Sequence, residues 1–456
     1  MIDLSTDAGL RRAFDDISGW GEPPVVPDLE QLGAVRLATR ERPSGRARML
    51  VAVGVVLLLV AGAVLVTRED PPPAVAAAGG EWSAMAESPL APRRYPTSLW
   101  TGDEALIWGG IGGTAFADGA RYRPRTDSWE PMAPAPSGVT GGRVLAAWTG
   151  EEAVYVTSVV DPATGGSGWD YDIIAYDPAA DVWRTLVQAR FEQDPASDVL
   201  VPLGPGYLDG PEALVVVDDR LLLFGWVSGL NTYTWMDLEP GNEPTRPLLG
   251  TADWYGRGKV VQVAGDQVYV GLTGLVGQTT WGWGYVLDAS TGLTRAVTAP
   301  PVGDAAGIEV HAAAVEDDVV LVGVATDGSG QSQRVAWRLD PATRRWTSAE
   351  PPPDGPTAAG EQGVSLVSTP LGPILLGGLD EGDGTSGGLR SEGGLRLAAA
   401  NDVRNWATLP EGPIDLHRVD AAAVWTGSEV IVWGGATTAT GTPDGELADG
   451  ARYRLP

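Results

Sequence analysis

The chain has 456 residues, 43% of them hydrophobic, with 62 glycines, 36 prolines and a formal net charge of −28. An acid excess of this size repels nucleic acid and anionic lipid headgroups, which excludes nucleic acid as a partner. The lack of cysteine excludes disulfides, thiolate chemistry and lipid attachment at cysteine, and it fits an exported domain that does not rely on disulfides.

Residues 1–48 are too few for a packed domain. Leu10, Ala13, Phe14 and Ile17 fall at helical spacing, and Leu29, Leu32 and Leu37 mark a second weakly helical patch within Asp28–Arg40. The Pro-rich break Glu22–Pro27 separates the two. The expectation is a largely disordered tail with weak helices, or a peptide on which a cytosolic regulator docks.

Met49–Val66 is an uninterrupted uncharged apolar run. As a helix it spans roughly 27 Å, enough to cross a bilayer core. Arg36, Arg40, Arg42, Arg46 and Arg48 precede it, whereas Arg68 stands beside Glu69 and Asp70 after it. The positive-inside rule then predicts one transmembrane helix over 49–66, with a cytoplasmic N-terminus and everything downstream outside the cell. The rival is a cleaved signal peptide cut near Ala74–Ala76. Its leading segment would be far longer than an ordinary n-region. Residues 67–80, with Pro71, Pro72 and Pro73, read as a semi-rigid tether reaching at most about 40 Å.

From residue 81 onward the chain repeats itself. Trp100–Gly110, Asp118–Tyr122 and Asp127–Trp129 form one full unit, WTGDEALIWGG…DGARY…DSW. Trp425–Gly435 and Asp449–Tyr453 repeat its first parts, and the chain then stops at Pro456 without the tryptophan step. A spare copy of that step, Glu81–Pro89, sits upstream of the first unit. A chain that begins with the last quarter of a repeat and ends with the first three quarters reads as a closed ring. Self-similarity at about 40–50 residues, with short strands and a Gly/aromatic signature, is a propeller pattern.

The units resemble the kelch repeat in its galactose-oxidase-like form: an apolar strand, a Gly-Gly pair, a tyrosine strand, then a tryptophan strand. Seven units are placed. They run from about Arg93 to Pro136, from Gly142 to Arg190, from near Pro211, from near Gly258, through Val320–Gly323 with Trp337 and Trp346, through Ile374–Gly378 with Trp406, and from near His417. Six or eight units are the alternatives. The resemblance implies an all-β, seven-bladed kelch-like β-propeller over 81–456, closed by its N-terminal strand. Tyr122, Tyr176, Tyr285, Tyr453, Trp129, Trp183, Trp346 and Trp406 are expected to fill the space between blades. The layout of residues 1–48 resembles the short tails of membrane-anchored regulators of actinobacterial type, including some anti-sigma-like proteins. It lacks their His/Cys zinc motif.

No catalytic residue, cofactor or metal site is expected. A galactose-oxidase copper centre needs histidine, tyrosine and a cysteine-linked tyrosine, and this chain has only His311 and His417. The acidic stretches Asp161–Asp172 and Asp380–Gly384 lack full calcium-loop spacing. The sharper candidate is the rim of the axial channel. Aligning the first strands that end at Trp100, Trp148, Val217, Val263, Glu316 and Trp425 places Arg94, Arg143, Glu212, Lys259, His311 and Asp420 near their starts. Mixed charges converging there suit a polar or anionic ligand such as a sugar acid. The function expected is extracytoplasmic binding or sensing of a protein, peptide or glycan. An exported mutarotase- or epimerase-like enzyme with an axial pocket is the alternative, and bacterial kelch-type sialate mutarotases resemble it in their axial pocket. The long segments Val156–Tyr171 and Leu379–Leu395 are candidate binding loops.

Overall fold

Ala105–Trp108 and Glu429–Trp433 are buried at every position, whereas Ser128–Pro131 exposes three of its four residues. A strand with apolar side chains on both faces must be covered on both faces, and one that alternates lies at a border. A radial stack of small sheets satisfies both patterns. The computed structural model describes residues 76–77, 79–159, 170–193, 200–202, 210–227, 232–238, 246–250, 256–263, 265–275, 284–301, 305–329, 331–352, 363–377, 395–397, 406–437 and 445–456. All of them lie in one compact unit, Ala74–Pro456. The expected tail, the apolar run 49–66 and most of the tether fall outside the described residues. Among the described residues no helix is long and apolar enough to cross a membrane.

The fold is an all-β propeller. The chain enters through β1 (Ala76–Ala77) and β2 (Glu81–Ala84). The first blade comprises β3 (Thr97–Trp100), β4 (Ala105–Trp108), β7 (Gly119–Arg123) and β8 (Ser128–Pro131), with a small hairpin of β5 (Ile111–Gly112) and β6 (Thr114–Ala115) between its second and third strands. The second blade is β9 (Val139–Trp148), β10 (Ala153–Val159), β11 (Tyr171–Asp177) and β12 (Val182–Ala189), followed by a hairpin of β13 (Phe191–Gln193) and β14 (Leu200–Pro202). The third is β15 (Gly210–Val217), β16 (Arg220–Val227), β17 (Thr232–Asp237) and β18 (Arg246–Gly250).

Next come two meanders. One is β19 (Gly256–Gln262), β20 (Gln267–Leu275), β21 (Gly284–Asp288) and β22 (Leu293–Val297). The other is β23 (Ala305–Val315), β24 (Asp318–Asp327), β25 (Ser332–Asp340) and β26 (Arg345–Ser348). These two form a single sheet, because β20 pairs with β23 at Gly274↔Ile308 and Leu275↔Gly307. The expectation of seven separate blades is therefore corrected to six blade sheets, one of them double. The physical reason is strand length. β20 runs for nine residues and β23 for eleven, so their ends overreach the blade and find each other. A further blade holds β27 (Val364–Val367), β28 (Ile374–Gly377), β29 (Leu395–Leu397) and β30 (Trp406–Thr408), with β1 added parallel to β30 as a fifth strand. The last holds β31 (Ala422–Trp425), β32 (Glu429–Trp433) and β33 (Gly450–Arg454).

The truncated final repeat is completed as its sequence demands. β2 is the outer strand of the last sheet and pairs antiparallel with β33, with Glu81 opposite Arg454 and Trp82 opposite Tyr453. Without it β33 would present a bare edge. The innermost strands touch in sequence, β3 to β9, β15, β19, β23, β27 and β31, and β31 returns to β3. The double sheet supplies two of these inner strands.

The core is a set of seams between sheets. Leu106 and Trp108 of the first blade pack on Tyr155, Ile174 and Tyr176 of the second. Trp129, Trp183, Trp346 and Trp406 each donate an indole N–H to a backbone carbonyl just after the outer strand of the preceding blade: Ala86, Ala133, Thr298 and Glu350, at 3.0, 2.8, 2.7 and 2.8 Å. An outer-strand tryptophan thus covers apolar area and also satisfies the chain as it leaves its neighbour.

Every inner strand starts on one side of the ring and ends on the other. The starting side also carries the connections between second and third strands; we call it the loop side. The opposite side, with short turns such as 101–104 and 124–127, is the turn side.

Candidate functional site: the rim on the loop side

The segment entering the first inner strand begins with two arginines of opposite role. Arg93 is fully buried. Its guanidinium donates to the Gly109 carbonyl at 3.0 Å and to Asp118 Oδ1 at 2.7 Å, and its Nε donates to the Ala91 carbonyl at 2.9 Å. Arg418 repeats the device in the last blade, with Gly434 O at 3.0 Å and Asp449 Oδ1 at 2.9 Å. Five donors in a rigid fork can tie several separate pieces of chain together. Each arginine binds the start of its inner strand to the base of the loop-side connection. Sequence reasoning passed over both, although Arg93 and Arg418 repeat at matching places and Asp118 and Asp449 open the repeated Asp-Gly-Ala-Arg-Tyr run.

Glycines bring adjacent blades together at the same level. Gly435 N–H donates to the Arg93 carbonyl at 2.9 Å, and Gly110 N–H donates to the Gly141 carbonyl. Gly109 and Gly434 have φ of 73° and 70°, and a Cβ on them would meet the next blade's backbone at 2.6 and 3.0 Å. Only glycine combines that backbone with that approach.

Arg94 and Asp420 are brought together. Arg94 Nη2 lies 2.5 Å and Nε 3.0 Å from Asp420 Oδ2, and both side chains are buried, at 8% and 2% exposure. Arg94 also donates to the Tyr95 hydroxyl at 3.1 Å and lies 4.8 Å from that ring's centroid. Tyr95 N–H donates to the Asp420 carbonyl at 2.8 Å. Tyr95 and Asp420 both hold left-handed backbone, at φ 57° and 59°. Such a conformation is uncommon for aspartate and an outlier for tyrosine, so the surrounding contacts must hold it.

The other four candidates occupy positions around the ring. Arg143 lies on β9 in the irregular stretch between the Thr140 and Leu145 pairings, and Glu212 lies on β15 at the register shift between Pro211 and Ala213. Lys259 stands opposite Gly271, and half-buried His311 stands opposite Val322. These two are on neighbouring inner strands, in the row that holds Thr97 and Ser365 in other blades. Thr97 and Ser365 donate their hydroxyls to Val144 and Ala421 carbonyls of the next blade, at 3.4 and 3.3 Å. The structure therefore joins Arg94 to Asp420 and sets Lys259 and His311 on adjacent strands. It places Arg143 and Glu212 at separate strand irregularities.

Among the described residues no group of three or more His, Asp or Glu could hold a metal ion. Most of Asp161–Asp172, and all of Asp380–Gly384, lie outside the described residues. Asp172 itself is bound by Arg190 at 2.7 Å. No family model matches the chain, and no curated protein matches its sequence. The kelch-like and galactose-oxidase-like resemblance thus rests on the repeat residues themselves.

Proposed function

We propose that this is a membrane-anchored, extracytoplasmic binding or sensing protein that uses a kelch-like propeller to recognise a protein, peptide or glycan on its loop side. The observation that carries the reading is the sidedness of the ring. The connections after β4, β10, β20, β28 and β32 all emerge where the inner strands start, and so do Arg94, Tyr95 and Asp420. Connections longer than strand pairing requires, on a rigid scaffold, are where binding residues concentrate. The uncharged run 49–66 with arginines before it supports the anchor, and residues 1–48 would then offer a cytosolic regulator a place to dock. Propellers host many functions, so the fold by itself does not choose among ligands.

The test is co-purification of the full chain, and of a chain lacking residues 1–48, from gently solubilised membranes. An exported partner retained by both, and lost with Arg143→Ala plus Lys259→Ala, is the expected result. A cytosolic partner lost with the tail would add transmembrane sensing. Retention of no partner by either chain would overturn the binding reading.

A further inference from the structure

The turns that join first to second strands gather around the axis on the turn side, because the innermost strands touch in sequence around the ring. β3, β9 and β31 end there on Trp100, Trp148 and Trp425. Trp100 packs against the cluster of Ala105 and Ile431, Trp148 against that of Leu106 and Tyr155, and Trp425 against that of Ile374 and Val430. Each cluster spans two neighbouring blades, so each indole sits in a seam, half-buried, with part of itself left to solvent. The blade opened by β27 adds Leu371, 39% exposed, in the turn that Gly372 N–H closes on the Thr369 carbonyl at 3.0 Å. Four consecutive blades thus form an apolar arc. On β15, β19 and β23 the residue at the tryptophan's step is Val216, Gln262 or Ala314.

The turns after those three strands carry carboxylates instead. Asp218 and Asp219 form the two-residue turn between paired Val217 and Arg220, Asp266 stands in the next turn, and Glu316 and Asp317 in the one after. Among the described residues none of these five forms an ion pair, whereas Asp103, Glu104, Glu152 and Glu429 on the tryptophan arc are held by Arg125, Arg121, Arg184 and Arg452. Asp266 hydrogen-bonds Asp218 across the seam, and this neighbouring carboxylate holds Asp218 above its ordinary value of 3.8. Two carboxylates that close favour a positive charge beside them.

We propose that the turn-side end of the axis is a second binding surface, distinct from the loop-side rim, and that it takes a lysine- or arginine-rich segment of another protein. The carboxylate arc complements cationic head groups. The tryptophan arc offers ring faces to those cations and apolar area to their aliphatic stems. A neutral sugar would use the indoles and leave the carboxylates idle. A bare divalent cation would use the carboxylates and leave the indoles idle. A cation on an apolar stem uses both. The inference stands on the described ring and needs neither the anchor nor the loop-side reading.

The test titrates full-length protein in detergent against fluorescein-labelled octa-arginine at about 0.15 M salt, read by fluorescence anisotropy. Asp218→Asn with Asp219→Asn keeps a turn whose φ angles, 46° and 62°, asparagine also adopts. That pair should weaken binding about fivefold or more, through lost charge-assisted contacts. Trp100→Leu with Trp148→Leu leaves the charge unchanged and should weaken binding about as much. Glu81→Gln with Glu87→Gln removes two exposed charges at the outer edge of the last blade and should leave binding within about twofold. No binding by the parent, or binding unchanged by the asparagine pair, overturns the proposal. Equal weakening by the glutamine pair also overturns it, because the peptide then reads only the chain's overall charge. If the leucine pair lowers the thermal midpoint, the asparagine pair, on exposed turn residues, still decides.

Discussion

Arg94 of the first blade and Asp420 of the last meet across the seam where the ring closes, with Nη2 2.5 Å from Oδ2. They are 326 residues apart in sequence. Both side chains are buried, so removing one takes from the other its carboxylate or guanidinium partner in a poor solvent.

Asp420→Ala is expected to cost about 3–5 kcal/mol, read as a large fall in the thermal midpoint, because Arg94 stays buried and alanine fits the left-handed backbone poorly. Asp420→Asn keeps a side chain that tolerates that backbone and should cost less. Replacing both partners with apolar residues, Arg94→Met with Asp420→Leu, should recover part of the loss. If Asp420→Ala leaves the midpoint unchanged, the pair does not hold the seam.

The adjacent glycines Gly141 and Gly142 give opposite expectations. A Cβ on Gly141 would sit 2.0 Å from the Phe116 carbonyl oxygen, whereas one on Gly142 meets nothing nearer than the Ala115 Cβ at 4.0 Å. Gly141→Ala should destabilise by about 1–3 kcal/mol or more, since backbone must move. Gly142→Ala should fall within about 0.5 kcal/mol of the parent. Denaturant midpoints of the two variants check this directly.

Ring closure depends on Trp82. It faces Tyr453 with ring centroids 5.0 Å apart, and it packs in the seam that includes Val430 and Ile374. Trp82→Ala should cost about 3–5 kcal/mol. Deleting 80–89 removes the whole outer strand and should sharply lower the thermal midpoint of the propeller. An unchanged midpoint would mean that β33 does not need its partner.

Acid should act on the outer turns. The Asp181 carboxylate accepts from the Tyr176 hydroxyl at 2.6 Å and from the Ala133 N–H at 2.8 Å, and these bonds hold it below its ordinary value of 3.8. Burial pushes Asp127 up, but bonds from Tyr122 and from Ala86 N–H outweigh it, and Asp127 too lies below 3.8. A carboxylate depressed in the folded state adds stability that is fully present above its unfolded value and is lost as pH falls through the folded one. Tyr176→Phe removes one of the two bonds on Asp181. The variant's deficit relative to the parent should be constant above about pH 4 and shrink below it. A deficit that does not change with pH would show that the bond does not depend on ionised Asp181.

Much of this protein could be read before any coordinates. The broken repeat, Trp82 without a unit and Tyr453 without a tryptophan step, already pointed to pairing of the segment at Glu81–Pro89 with the last unit. Strand identity follows from local alternation and from Gly-Gly and Asp-containing turns, which act over a few residues. The apolar run 49–66 and its flanking arginines are equally local. Their reading as an anchor belongs to sequence alone.

What tertiary structure decided is what depends on register and on distant partners. The seven units expected from the repeats give way to six blade sheets, because β20 and β23 are long enough to pair at Gly274 and Leu275, and repeat spacing carries no information on overreach. The rim candidates were chosen by proximity to strand starts, yet a shift of one or two residues along a strand changes which neighbour a side chain meets. Arg94 and Asp420 therefore meet each other, Lys259 and His311 share a row, and Arg143 and Glu212 fall at irregularities. Arg93 and Arg418 carried no expectation in the sequence. Burial against carbonyls that only the folded ring assembles makes them the fasteners of the loop side.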